Sequence, residues 1–299
     1  MRIAFRNEYV QALPEGHRFP MEKYDLLPRQ LIHEGTISRE QLFEPEIIED
    51  AHVLDVHSSL YFERLTSLML SAREQRVSGF PHDQKLIQRE RMIMEGTRKC
   101  VEYALEDGIS MNIAGGTHHA FYDRGEGFCL LNDQAIAAKW FLKEYPEKKV
   151  LIVDLDVHQG NGTASIFETD QRVFTFSMHG RNNYPLKKEH SDLDIELEDG
   201  TDDDTYLYQL AHSLDSILSG FTPDLVFYQC GVDVIGSDKL GKLGLTIQGC
   251  KMRDRMVFET ARTLSVPVVC SMGGGYSRDI RDIIEAHANT FREAQFILT

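Results

Sequence analysis

Five short apolar runs rich in β-branched side chains recur along the chain, at Met111–Ala114, Val150–Leu155, Val173–Met178, Leu225–Cys230 and Val266–Met272. Each is continuous rather than alternating, the pattern of a strand covered on both faces. Between them the apolar positions take a helical period. Asn132–Tyr145 sets Ile136, Ala137, Trp140 and Phe141 on one stripe, and Thr205–Leu218 does the same with Leu207, Leu210, Leu214 and Ile217. The second is preceded by Asp202, Asp203 and Asp204, whose charge suits a helix N-terminus. Cys250–Leu264 and Asp279–Phe296 read as two more helices, and Tyr24–Glu34 and Asp83–Asp107 as long ones within a helix-rich first hundred residues. Strand alternating with helix predicts an α/β fold, a parallel sheet with helices on both faces. No Pro-, Gly- or Ser-rich linker and no repeat divides the chain. Residues 1–299 therefore read as one domain, with the first hundred an elaboration on it.

Composition narrows the classes. The 299 residues are 42% hydrophobic and 26% charged, as in an ordinary globular protein, and 32 Lys+Arg against 47 Asp+Glu leave a net charge of −15. Such a balance argues against gripping nucleic acid through the overall field, and leaves open an acidic cleft that attracts a cationic substrate. No stretch approaches the ~20 apolar residues of a membrane span, and the first residues lack an apolar signal segment. The five cysteines are widely spaced, without a C-x-x-C pair, which points to a reducing cytoplasm; Cys230 and Cys270 read as buried thiols.

Chemistry collects where the apolar runs end, which is where open α/β sheets bind ligands. Gly115-Gly116-Thr117-His118-His119 follows the first run, and Asp154, Asp156 and His158 close the second, before Gly160-Asn161-Gly162. His179 follows the third, Asp233 the fourth, and Gly273-Gly274-Gly275-Tyr276 the fifth. On an extended backbone Asp154, Asp156 and His158 would share one face. Alone, that spacing also fits a solvated acidic loop; with Asp233 arriving from another strand it reads as a metal site. Two aspartates and one histidine leave an open coordination position, the layout of a catalytic site, and they suit Zn²⁺, Fe²⁺ or Mn²⁺. One of His118 and His119 can serve as general base and acid while the other is held by a carboxylate, with Asp154 the nearest candidate. Tyr276 can donate to a developing oxyanion. Gly127-Phe128 and Tyr184-Pro185 bring aromatics to loops at the same edge, where they can wall a channel or simply pack.

As a set, Gly115–Ala120, Asp154–Thr163, Cys230–Asp233 and Gly273–Tyr276 resemble a histone deacetylase of the zinc-dependent superfamily, in order and over nearly the whole chain. By length, and by His17–Tyr24, the resemblance is strongest to class IV and bacterial deacetylase-like members. It implies the arginase-like fold, with a central parallel sheet of about eight strands. It implies one zinc held by Asp156, His158 and Asp233, with His119 the general base and acid, His118 paired with Asp154, and Tyr276 polarising the acyl carbonyl. Gly127, Phe128 and Tyr184 would line the acyl-lysine tunnel. A potassium ion would sit at Asp154, Asp156, His158, Ser177 and Met178. Two positions depart from parts of the family: Asn161 stands where some members carry aspartate, and Gln159 where a second histidine is common.

The expected function is zinc-dependent hydrolysis of an acetyl- or acyl-lysine amide in a protein or peptide, with an activated water as nucleophile. An acetylpolyamine or other small acyl-amine is the alternative substrate. A two-manganese ureohydrolase fits less well, because one Asp/Asp/His set is visible. A binding protein that has lost turnover would be expected to lack one of these residues.

Overall fold

The apolar runs form the middle of one eight-stranded sheet in the computed structural model, which describes residues 1–299. The strands are β1 (Arg2–Ala4), β2 (Leu42–Phe43), β3 (Ile109–Asn112), β4 (Val150–Asp154), β5 (Val173–Gly180), β6 (Leu193–Leu197), β7 (Leu225–Gln229) and β8 (Val268–Ser271). Every pairing is parallel, in the order β2-β1-β3-β8-β7-β4-β5-β6. All residues of β3, β4, β7 and β8 are buried, as continuous apolar runs require when helices cover both faces. The fold class is the one the hydrophobic pattern predicts.

The helices are α1 (Lys23–His33), α2 (Asp50–Leu54), α3 (Ser59–Thr66), α4 (Ala72–Ser78), α5 (Gln84–Asp107), α6 (Asp133–Glu144), α7 (Asn161–Phe167), α8 (Asp203–Gly220), α9 (Ile247–Leu264) and α10 (Ile280–Leu298). They pack in two groups, α5 with α6 in one, and α1, α10, α9 and α8 in succession in the other. Side-chain oxygens cap several of them. Asn132 accepts from Ala135 N–H, Asp202 from Thr205 N–H and Thr246 from Gly249 N–H, each satisfying a donor the first turn leaves free.

Three strands escape the sequence pattern. β1 and β2 are too short to show a run, so the first hundred residues do more than decorate the sheet: they complete one edge of it. The edge strand β6 is only partly buried and alternates with Asp194 and Glu196. The first run is also displaced, since β3 ends at Asn112 and Ile113-Ala114 already belong to the turn that follows.

The site sits where the chain reverses its path through the sheet. From β4 it moves outward to β5 and β6, then returns through α8 to β7 on the other side of β4. The loops after β4 and β7 thus diverge and leave a crevice at the carboxyl ends of the strands. Arg253 of α9 closes its floor. Fully buried, it donates to the carbonyl oxygens of Leu155 at 3.1 Å and Gly231 at 2.6 Å, residues that flank Asp156 and Asp233. Its charge is met by Asp254 at 2.7 Å, which also accepts from the hydroxyls of Tyr228 and Thr290. Removing one member of a buried, hydrogen-bonded ion pair strands the other. Arg253→Met is therefore expected to lower stability by about 3–5 kcal/mol in urea denaturation. A loss under ~1 kcal/mol would show that the pair is dispensable.

Candidate active site

The backbone leaves the extended conformation directly after Asp154, which corrects the expectation that Asp154, Asp156 and His158 share a strand face. The bend separates their partners. The Asp154 carboxylate turns to His118 Nδ1 at 2.6 Å, while Asp156 and His158 turn toward Asp233. His158 Nδ1 lies 3.0 Å from Asp156 Oδ1 and 3.1 Å from Asp233 Oδ2, and the three potential ligand atoms lie within 4.8 Å of one another.

All three residues are buried. Backbone N–H groups hold the remaining carboxylate oxygens: Gly274 donates to Asp156 Oδ2 at 2.8 Å and Val157 to Asp233 Oδ1 at 3.0 Å. The second oxygen of each carboxylate is thereby aimed toward the imidazole, that of Asp156 also accepting from His158 N–H at 3.0 Å. Two glycines make this approach possible, because a Cβ on Gly231 would overlap Asp156 Oδ2 and one on Gly274 would overlap Asp233 Oδ2.

The trio binds protons when no cation balances it. Burial pulls the His158 imidazole down, but hydrogen bonds to Asp156 and Asp233 outweigh it and carry it up to about 10; burial and the Asp156 charge push Asp233 up to about 7. Two buried carboxylates around one imidazole are a donor set that fits a divalent cation, whose charge would replace those protons.

The two adjacent histidines are buried side by side, their ring centroids 4.1 Å apart, yet their partners differ in charge. Burial opposes the His118 cation, but the Asp154 carboxylate outweighs it and raises the imidazole above its usual range. His119 Nδ1 instead meets the Asn161 amide oxygen at 2.6 Å. A neutral acceptor gives little help, so burial, reinforced by His118 and His158, holds His119 well below its usual range. With Nδ1–H donated to Asn161, Nε2 keeps a lone pair free on a neutral ring.

Tyr276 follows the glycine turn and is buried, its ring centroid 6.4 Å from that of His158. Burial, then the nearby Asp233 and Asp156 charges, raise the phenol well above its usual range, so it stays protonated and able to donate. Asp238 fixes the residue by accepting from Tyr276 N–H at 2.6 Å. Lys23, fully buried, donates to Gly273 O at 3.0 Å and lies 5.6 Å over the Tyr276 ring. Burial lowers its ammonium to about 8.

An outer cavity of about 440 Å³ opens above these groups, bounded by Phe128, Tyr184 and Tyr276 and floored by His119 and His158. It continues inward past Phe19, Phe80 and Tyr24. The strap carrying Gly127 and Phe128 is pinned by donation from Gly127 N–H to Val77 O and from Phe128 N–H to Ser78 O. Phe128 holds a φ of +67° there, unusual for a residue with a Cβ, and its ring packs on Phe19 and Phe80 at 5.1 and 5.4 Å. Tyr184 stands across the cavity, perpendicular to His119 at 5.0 Å, its hydroxyl bonded to Glu126. Ser177 lies beside Asp154 in the register of β5 on β4, and Met178 is the next residue, both buried.

Sequence reasoning passed over Lys23, Asp133, Asp238 and Arg253, because each acts through tertiary contacts that no local spacing announces. Asp133 accepts from Gly116 N–H, Thr117 N–H and the Thr97 and Ser271 hydroxyls, fixing the turn that delivers the histidines. Gln159 also gains a role. Its amide donates to Glu189 O and Asp194 and accepts from Glu189 N–H, tying the loop beyond Tyr184 to the strand ends.

Residues 17–291 match the family model described as the histone deacetylase domain. Histone deacetylase 2 of Arabidopsis thaliana is 33% identical, over 90% of this chain and 73% of the relative. An uncharacterized protein of Picosynechococcus is 44% identical over 98% of both chains. The acetoin utilization protein AcuC of Staphylococcus aureus is 27% identical over 93% of this chain and 77% of its own length. Among solved structures, an HDAC homolog from Aquifex aeolicus superposes with a TM-score of 0.83 at 22% identity, over 98% of this chain and 82% of the other, a likeness of fold. The chain belongs to the histone deacetylase family, whose members are zinc-dependent deacetylase hydrolases.

Proposed function

We propose that this protein hydrolyses the amide of an acyl-lysine, releasing the carboxylic acid and the free ε-amine, and that residues 1–299 act as one catalytic domain. The observation that carries the reading is the buried Asp156/His158/Asp233 trio at the foot of an aromatic-walled cavity, flanked by His119 and Tyr276. Asp156, His158 and Asp233 would hold one zinc ion, which when bound supplies a Lewis acid that polarises the acyl carbonyl and acidifies water.

His119 Nε2 takes the proton of the attacking water, a role supported by its neutral ring and its Nδ1–H bond to Asn161. The same nitrogen returns the proton to the leaving amine as the C–N bond breaks. Tyr276 donates its phenolic O–H to the carbonyl oxygen as that oxygen gains charge. His118, paired with Asp154, tunes the charge and position of the groups beside it. Phe128 and Tyr184 flank the lysine's methylenes, and Gly127 keeps the wall thin, since a Cβ there would strike the His119 ring. A potassium ion at Asp154, Asp156, His158, Ser177 and Met178 would lock the β4 end in place. The five buried free cysteines support a reducing, cytoplasmic setting.

Metal loading is measurable without turnover. Zinc at about one hundred times its dissociation constant should stabilise the stripped protein by ~2.7 kcal/mol, a rise in Tm of roughly 5 °C. Asp233→Asn should abolish that rise and Gly274→Ala should reduce it; an unchanged response in both would remove the metal site from this trio. For the chemistry, Tyr276→Phe and His119→Ala should each lower kcat on a fluorogenic acetyl-lysine peptide by ~10²–10³-fold. Undiminished turnover by both variants would sink the assigned roles.

A further inference from the structure

The charge at the mouth of the cavity runs against the charge of the protein. With a net charge of −15, an average patch of this surface would be acidic. Yet the only formally charged side chains lining the outer cavity, its histidines aside, are Arg18 and Lys242. Both are exposed, and neither has a carboxylate partner. They come from separate loops. The Arg18 guanidinium carbon lies 5.2 Å from the Phe128 ring centroid, a cation–π contact. Lys242 is fixed through its backbone, its N–H donating to Asn183 Oδ1 at 3.2 Å and its carbonyl accepting from Gly200 N–H at 2.7 Å.

The nearby carboxylates are already engaged. Glu126 accepts from the Tyr184 hydroxyl and from Arg124. Asp238 accepts from the N–H groups of Leu240, Gly241 and Tyr276. Asp199, behind Asn182, accepts from its amide at 3.3 Å. Two unpaired cations at the rim of a low-dielectric cleft focus a positive potential on whatever enters it.

We propose that Arg18 and Lys242 select an acyl-lysine in an acidic stretch of polypeptide, with carboxylates on the residues flanking the lysine. The inference rests on the deacylase reading and names its substrate class. A lysine's methylenes occupy the aromatic passage and leave its main chain and neighbours at the mouth, where flanking carboxylates meet the two cations. An acylated polyamine would instead carry ammonium groups to the same place and be repelled.

The test compares kcat/KM of the zinc-loaded enzyme on acetyl-lysine peptides that differ only in flanking Asp, Gln or Arg, together with free Nε-acetyl-lysine and N8-acetylspermidine. The expected order is Asp over Gln over Arg, about 3-fold per flanking charge at low ionic strength and less as salt rises, with acetylspermidine poorest. In the double variant Arg18→Ala/Lys242→Ala the Asp-to-Arg ratio should fall toward one. It should persist in Arg29→Gln, which removes a positive charge far from the mouth. An unranked set, a faster Arg-flanked peptide or a ratio that survives the double variant would overturn the inference alone. Free acetyl-lysine outrunning the Asp-flanked peptide would overturn the polypeptide assignment. If no acyl-amine is cleaved, the deacylase reading fails and takes the inference with it.

Discussion

Three carboxylates, Asp154, Asp156 and Asp233, lie buried at the ends of two adjacent strands, and most of the local architecture follows from satisfying them. An ionised carboxylate taken out of water is tolerated only when donors or positive charge replace its hydration. Each aspartate here has its own solution. Asp154 accepts from His118 and from Asp156 N–H. Asp156 accepts from Gly274 N–H on one oxygen and from His158 N–H on the other, Asp233 accepts from Val157 N–H, and the second oxygen of each faces the His158 ring. Backbone can approach so closely only through Gly231 and Gly274. Arg253 then fastens the carbonyls on the reverse side of the same loops, so the loops are held from both directions.

The same bookkeeping separates two adjacent histidines into two chemistries. His118 and His119 share a burial and nearly touch, but one faces a carboxylate and the other an amide oxygen. A charged partner stabilises an imidazolium and a neutral one does not, so the His118 imidazole is raised where that of His119 is lowered. Asn161, where some members of the family carry aspartate, thus has a direction: an aspartate there would raise the His119 imidazole, whereas asparagine leaves it low. Orientation survives the exchange, because either residue accepts from Nδ1–H.

Much of this was legible in the sequence. The continuous apolar runs foretold a sheet buried on both faces, and the run ends foretold where Asp156, His158, Asp233 and Tyr276 collect. The shared strand face of Asp154, Asp156 and His158 requires an extended backbone through His158, which the bend after Asp154 interrupts, while the pairing of Asp154 with His118 stands as expected. β6 hid because an edge strand can carry acids in alternation, and β1 and β2 because two or three residues make no period. Lys23, Asp133 and Arg253 were invisible for another reason. Their value lies in contacts with residues 250, 138 and 98 positions away, respectively.

Net charge proved the least transferable quantity. A total of −15 leaves open an acidic cleft for a cationic substrate, yet the outer cavity is lined by Arg18 and Lys242 and by no carboxylate. The total sums exposed acids spread over the whole surface, where salt screens them beyond about 8–10 Å. A ligand in the mouth meets only the charges within that distance, and meets them through low-dielectric walls that screen less. The acids nearest the mouth have been consumed in building it: Glu126 holds Tyr184, and Asp238 holds the Tyr276 backbone. Their oxygens are turned into hydrogen bonds that the scaffold requires, and Arg18 and Lys242 are the charged side chains that, histidines aside, line the entrance itself.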